Sequence, residues 1–82
     1  MYTEKVFGEI LKKIRKKQKM SQEQLALACN LERTYISMLE RGTRNPTLNT
    51  IFKLSTVLGV KPSHLINMVE ESLDKTDNYY PE

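Results

Sequence analysis

Residues 21–42 constrain the fold of this chain more than any other segment, because they predict two helices joined by a very short turn. Ser21 and Gln24 have the spacing of a capping box, in which each side chain bonds the backbone N–H of the other residue. Asn30 stands at the turn, and asparagine tolerates a left-handed backbone better than most residues other than glycine. The next helix is predicted from Arg33 to Arg41. Two helices joined this tightly form a helix-turn-helix.

Capping signals predict where the other helices begin and end. The expected boundary residues are Thr3 and about Lys17 for helix 1, Ser21 for the start of helix 2, Glu32 and Gly42 for helix 3, Thr47 and Gly59 for helix 4, and Pro62 and about Leu73 for helix 5. The prediction is an all-α fold, a compact five-helix bundle with the helix-turn-helix at helices 2 and 3. One domain covers residues 1–74, and we expect the polar residues 75–82 to fray.

Apolar residues at helical spacing predict the side of each helix that faces the core. The expected inward residues are Phe7, Ile10, Leu11 and Ile14 in helix 1, Leu25 and Ala28 in helix 2, Leu31 after the turn, Ile36 and Leu39 in helix 3, and Leu48, Ile51, Leu54 and Leu58 in helix 4.

Helix 5 carries more apolar residues than so small a domain is expected to bury. We expect Leu65 and Val69 to share one side, and Ile66 and Leu73 another. One side would complete the core and the other would meet a second copy in a twofold homodimer. The alternative is that all of them belong to the core of one chain. The candidate interface residues are Phe52, Leu65, Ile66, Met68 and Val69.

Charge and composition limit the classes of function. Residues 1–61 hold 12 Lys and Arg against 5 Asp and Glu, whereas residues 62–82 hold 1 against 5, so a basic body precedes an acidic end. A basic body suits a polyanion, although it is equally typical of a solvated surface. With one His and one Cys, no metal cluster, cofactor or catalytic centre is expected. The lone cysteine and the lack of a long apolar run predict a cytoplasmic protein without a membrane partner.

The second helix of the pair carries side chains suited to reading DNA bases, and it would enter the major groove. Arg33 can bond guanine, Thr34 can bond a base or touch a thymine methyl group, and Ser37 can reach a base or a phosphate. Tyr35 either contacts DNA or supports the turn from a half-buried position. The predicted base-reading residues are therefore Arg33, Thr34, Tyr35 and Ser37.

Contacts to the DNA backbone are predicted at the starts of two helices, where free N–H groups favour phosphate. Gln22 opens helix 2 and can donate to a phosphate. The other predicted backbone contacts surround the start of helix 4, and they are Arg44, Asn45, Thr47 and Asn49. Thr47 can also cap helix 4, and Asn45 can also stabilise the turn before it.

These motifs resemble the Cro/C1-type (XRE-like) helix-turn-helix family over about residues 7–70. Arg33-Thr-Tyr-Ile-Ser, Glu40-Arg-Gly and Arg44-Asn-Pro-Thr are most similar to the controller proteins of bacterial restriction–modification systems. The resemblance implies a lambda-repressor-like fold and a homodimer that binds operator DNA and regulates its own gene and the endonuclease gene. It also implies a structural ion pair between Arg15 and Glu40.

Two other functions fit the same motifs. Phage and plasmid repressors share most of them, and an antitoxin can carry a helix-turn-helix beside a toxin-binding segment. Neighbouring genes would distinguish these functions from that of a controller. Because no ligand domain is predicted, we expect no small-molecule effector.

Overall fold

The computed structural model describes residues 2–75, which contain five α-helices and no strand. This confirms the predicted all-α bundle. The helices are α1 (Tyr2–Lys17), α2 (Gln22–Cys29), α3 (Arg33–Arg41), α4 (Leu48–Leu58) and α5 (Pro62–Asp74). Apart from Lys75, the residues expected to fray lie outside the described part of the chain. None of the described helices has the length and apolar character needed to span a membrane.

The capping residues read from the sequence hold the helix-turn-helix in place. The Ser21 hydroxyl accepts the Gln24 N–H at 3.0 Å, and the Gln24 side chain accepts the Ser21 N–H at 2.7 Å. Asn30 takes the left-handed conformation, with φ of 57° and ψ of 44°. The turn chemistry was therefore predicted correctly.

Two of the predicted N-terminal caps, at α1 and α3, differ from expectation. α1 already includes Tyr2, so Thr3 lies inside the helix rather than before it. Glu32 precedes α3 with an extended backbone, but its side chain makes no capping hydrogen bond.

The core forms where α1 packs on α3, α4 packs on α2, and α5 packs on both α1 and α4. Its buried apolar residues are Val6, Phe7, Leu11, Leu25, Ala26, Cys29, Ile36, Leu39, Leu54, Leu58, Leu65, Val69 and Leu73. Ala28 was predicted to face inward and is exposed. Ala26 and Cys29 take that role, since they lie about 100° and 40° to one side of Leu25 around α2, whereas Ala28 lies about 60° to the other side.

Leu48 was expected on the core side of α4, and this was wrong because its side chain is 71% exposed. It precedes Leu54 by six residues, a rotation of about 600° that leaves it about 120° away from Leu54 around the helix. Leu48 is therefore available on the surface at the start of α4.

α5 turns a single side toward the core. Leu65, Val69 and Leu73 follow one another at four-residue spacing, and all three are buried. Ile66 and Leu73 were predicted to share a side, and their seven-residue spacing does place them within about 20° of each other around the helix. Only Leu73 is buried, however, and Ile66 is 44% exposed. Since Leu65 and Val69 are enclosed within one chain, their assignment to a subunit interface was wrong.

Candidate nucleic-acid interface

α3 presents a polar face to solvent because its opposite face is fixed in the core. Ile36 and Leu39 are completely buried. Arg33 and Thr34, in the first turn of α3, are exposed, and Ser37 is half-buried one turn later. The predicted base-reading positions Arg33 and Thr34 are thus open at the N-terminal end of α3, the part of a recognition helix that meets base edges.

Tyr35 lies half-buried between α3 and α4 rather than fully exposed. Its hydroxyl donates to Thr50 Oγ1 at 3.4 Å, and the Arg44 guanidinium lies 5.4 Å from the centre of its ring. A cation over an aromatic face at this distance is mildly attractive. These contacts favour Tyr35 as a support between α3 and α4, and base reading by its side chain stays a prediction.

The start of α4 gathers the second group of predicted DNA contacts. The Thr47 hydroxyl accepts the Thr50 N–H at 3.0 Å and donates to Thr50 Oγ1 at 2.9 Å. The first N–H groups of a helix have no partner within it, so this end suits a phosphate. The exposed polar residues around it are Arg44, Asn45 and Asn49.

Thr50 was missed by the sequence reasoning, although it is buried and accepts hydrogen bonds from both Tyr35 and Thr47. The only available signal was the Thr-x-x-Thr spacing from Thr47. That spacing predicts the hydrogen bond between Thr47 and the Thr50 N–H at the start of α4. It does not predict the contact between Thr50 and Tyr35 of α3.

A buried ion pair joins the first three helices, as the resemblance implied. Arg15 donates to both Glu40 oxygens, at 2.6 and 3.0 Å, and to the Met20 carbonyl oxygen at 2.7 Å. The hydrogen bond to Glu40 raises the pKa of Arg15 above its ordinary value. Gln22 donates to the same carboxylate at 2.9 Å. Because an amide nitrogen carries two hydrogens, Gln22 has a second N–H beyond its bond to Glu40, and the phosphate contact of this residue stays a prediction.

Cys29 is the one cysteine of the chain, and it packs as a small apolar residue. Its burial raises the pKa of the thiol, with nearby Lys53 acting in the opposite direction. A protonated, buried thiol is a poor nucleophile. Within residues 2–75 no three His, Cys, Asp or Glu side chains cluster as metal ligands would.

A separate apolar surface lies across α4 and α5. Leu48, Phe52 and Ile66 are exposed and line one groove together with Pro62 and Asn67. Large apolar side chains that share an exposed surface often mark a protein interface. We call the side chains of Leu48, Phe52 and Ile66 the α4–α5 patch.

Of the predicted interface residues, Phe52 and Ile66 belong to this patch. Met68 does not, because it lines a different groove with Ile14 and His64 at the side of α1. Its place in a subunit interface stays a prediction.

Comparison with known proteins gives consistent results. A family described as "Helix-turn-helix" matches residues 11–65. The control protein C.BamHI of Bacillus amyloliquefaciens is 52% identical over 63 residues, covering 76% of this chain and 78% of that protein. The restriction–modification controller protein C.AhdI of Aeromonas hydrophila has a crystal structure with a TM-score of 0.77 and 38% identity, covering 79% of this chain and 98% of that one.

A second controller structure includes DNA. It shows the C.Esp1396I tetramer in complex with its natural 35-base-pair operator. The match has a TM-score of 0.78 and 34% identity, and it covers 87% of this chain and 93% of that one.

Proposed function

Since this chain belongs to the Cro/C1-type helix-turn-helix family, we propose that it is the controller protein of a bacterial restriction–modification system. In this role it binds an operator as a dimer and regulates its own gene and the endonuclease gene. The role is binding and regulation, with no catalytic step. It acts in the cytoplasm, where bacterial DNA lies.

The outer face of α3 carries this proposal. Buried Ile36 and Leu39 fix the helix, so Arg33 and Thr34 stand together at its exposed start. The major groove is about 12 Å wide and admits a single helix. The N-termini of α2 and α4 then offer backbone contacts on either side of the helix that reads bases.

Selection of duplexes from a random pool, followed by titration of the recovered sequence, tests the proposal. We expect recovery of a two-part, inverted-repeat site that is bound at least about 1,000-fold more tightly than random DNA. A pool that stays random after repeated rounds would overturn the proposal. The controller role additionally requires that the selected site occur upstream of the gene itself and beside endonuclease and methyltransferase genes.

Replacing Arg33 by alanine should remove the preference for one base position in each half-site, at a cost of about 1–3 kcal/mol. The reason is that its guanidinium can form two hydrogen bonds to guanine. Competition titrations with duplexes changed at single positions measure the effect. Arg44→Ala is the matched control, because loss of a phosphate contact weakens all sequences alike and flattens the salt dependence. An Arg33→Ala protein with unchanged base preference would remove this residue from the reading set.

The α4–α5 patch is the proposed homodimer surface, and it adjoins the predicted phosphate contacts because Leu48 directly follows Thr47. One small recognition helix spans few base pairs, so two are needed for a useful site. Twofold pairing would bury the patch of each chain against the same patch of the other.

Ile66→Asp should shift the dimer to monomers, raising the dimer dissociation constant at least about tenfold, because it places a carboxylate in a desolvated apolar contact. Sedimentation velocity across a concentration series measures the shift. Leu27→Asp is the matched control, since Leu27 is 75% exposed on α2 and does not line the groove of the patch. If Ile66→Asp dimerises like the parent protein while Leu27→Asp dissociates, the interface lies on α2 instead.

A further inference from the structure

The exposed lysines of α1 fall into two sets that face different neighbours. At about 100° per residue, Lys5, Lys12 and Lys16 lie within about 40° of one another around the helix. All three side chains are exposed, and we call them the flank row. Lys13 and Lys17 form a second set, about 60–140° further around the helix, and Lys17 lines a groove with His64 of α5.

Close packing of α1 on α3 fixes the direction of the flank row. Gly8 lies against the carbonyl oxygens of Leu39 and Glu40, so closely that an added Cβ would stand 2.6 Å from the Glu40 oxygen. Near its N-terminal end, the Lys5 Cα would lie 2.8 Å from a Cβ added at Gly42. Around α1, Gly8 lies between the core side and the flank row. The flank row therefore runs along the edge of α1 next to the recognition helix.

This edge is bounded by predicted DNA-backbone contacts. Arg15, which directly precedes Lys16, shares the Glu40 carboxylate with Gln22 at the start of α2. At the other end, Gly42 begins the loop that leads to Arg44. The lysines on this edge therefore lie between residues that are already predicted to contact phosphates.

The lysines of the flank row form no ion pair within the described residues. The acidic residue Glu9 shares this side of α1, but within residues 2–75 no ion pair joins it to the three lysines. Lys5 and Lys16 are about 16 Å apart along the helix axis, which compares with about five base pairs of duplex. An unpaired basic row of this length suits a segment of phosphate backbone.

We propose that the flank row binds the phosphates of DNA just outside the half-site read by α3. This rests on the proposed function, because it requires α3 to be seated in the groove. The row reads no bases. It lengthens the footprint of the protein and increases its affinity for a site embedded in longer DNA.

The test uses two duplexes built from the selected site, one trimmed to the site and one carrying ten extra base pairs on each side. The double variant Lys12→Gln/Lys16→Gln removes two charges from the flank row, and Lys13→Gln/Lys17→Gln removes two charges from the second set of lysines on α1. Dissociation constants are measured from 50 to 200 mM salt. For the flank variant on the long duplex, we expect the salt slope to become less negative by about 0.9 for each lost phosphate contact. On the trimmed duplex it should bind as the parent does, and the control variant should match the parent on both.

Three outcomes would overturn the proposal. Equal losses for the two variants would show a general charge effect, and equal losses on the two duplexes would place the lysines inside the site. Parent-like binding of the flank variant to the long duplex would show no contact at all. Failure of the parent protein to prefer the selected site would instead overturn the proposed function, so the two failures are distinguishable.

Discussion

Gly8→Ala is expected to destabilise the fold by about 3 kcal/mol, the upper range for forcing extra atoms into a packed site. A Cβ at this position would overlap the Leu39 carbonyl oxygen and lie 2.6 Å from the Glu40 carbonyl oxygen. Both atoms belong to the backbone of α3, so no side chain can rotate away. In an exposed helix the same change would stabilise the fold by up to about 1 kcal/mol. The sign of the change in unfolding free energy therefore tests the packing of α1 on α3 directly. Urea unfolding at fixed protein concentration measures it.

Gly59→Ala is the matched control. Gly59 has a positive φ of 71°, but nothing lies within 4 Å of an added Cβ, so only backbone strain of about 1–2 kcal/mol applies. Gly42→Ala combines a φ of 77° with the approach of Lys5 and should cost more than Gly59→Ala. A Gly8→Ala protein as stable as the parent would mean that α1 and α3 are further apart than described.

Glu40→Ala is expected to cost about 3–5 kcal/mol, because it leaves the buried Arg15 guanidinium without its charge partner. The double variant Arg15→Met/Glu40→Leu replaces both charges by apolar groups of similar size. Such replacements are often neutral or stabilising, so the double variant should be closer to the parent in stability than Glu40→Ala is. Chemical unfolding of the set measures the coupling.

The double variant also separates folding from DNA binding. It retains the bundle but removes the carboxylate that holds Gln22 at 2.9 Å, so its affinity for the selected duplex should fall. Gln22→Ala in the parent should lose a similar amount. Full affinity in a stable double variant would show that Glu40 does not position Gln22. A double variant less stable than Glu40→Ala would contradict the expected compensation.

The helix-turn-helix was readable from sequence because its signals act over short distances. A cap such as Ser21 bonds a residue three positions away, and the left-handed turn at Asn30 depends on the residue itself. The inward positions Ile36 and Leu39 follow from helical spacing alone. The motifs around them were also enough to identify the family, and the exposure of Arg33 and Thr34 follows from the same periodicity.

Positions whose neighbours are distant in sequence were predicted less well. Apolar spacing placed Leu48 with the core and divided α5 wrongly, because the usable side of a helix depends on which helices cover it.

The sequence by itself determined the all-α bundle, the helix-turn-helix and the polar residues exposed at the start of α3, since local caps and helical periodicity specify them. Tertiary structure alone decided that Gly8 is a contact point for α3, that Glu40 holds Gln22, and that Tyr35 supports α4. It also separated the lysines of α1 into two sets. Each of these depends on where one helix crosses another, which is fixed by the packing of the whole chain and not by any segment of it.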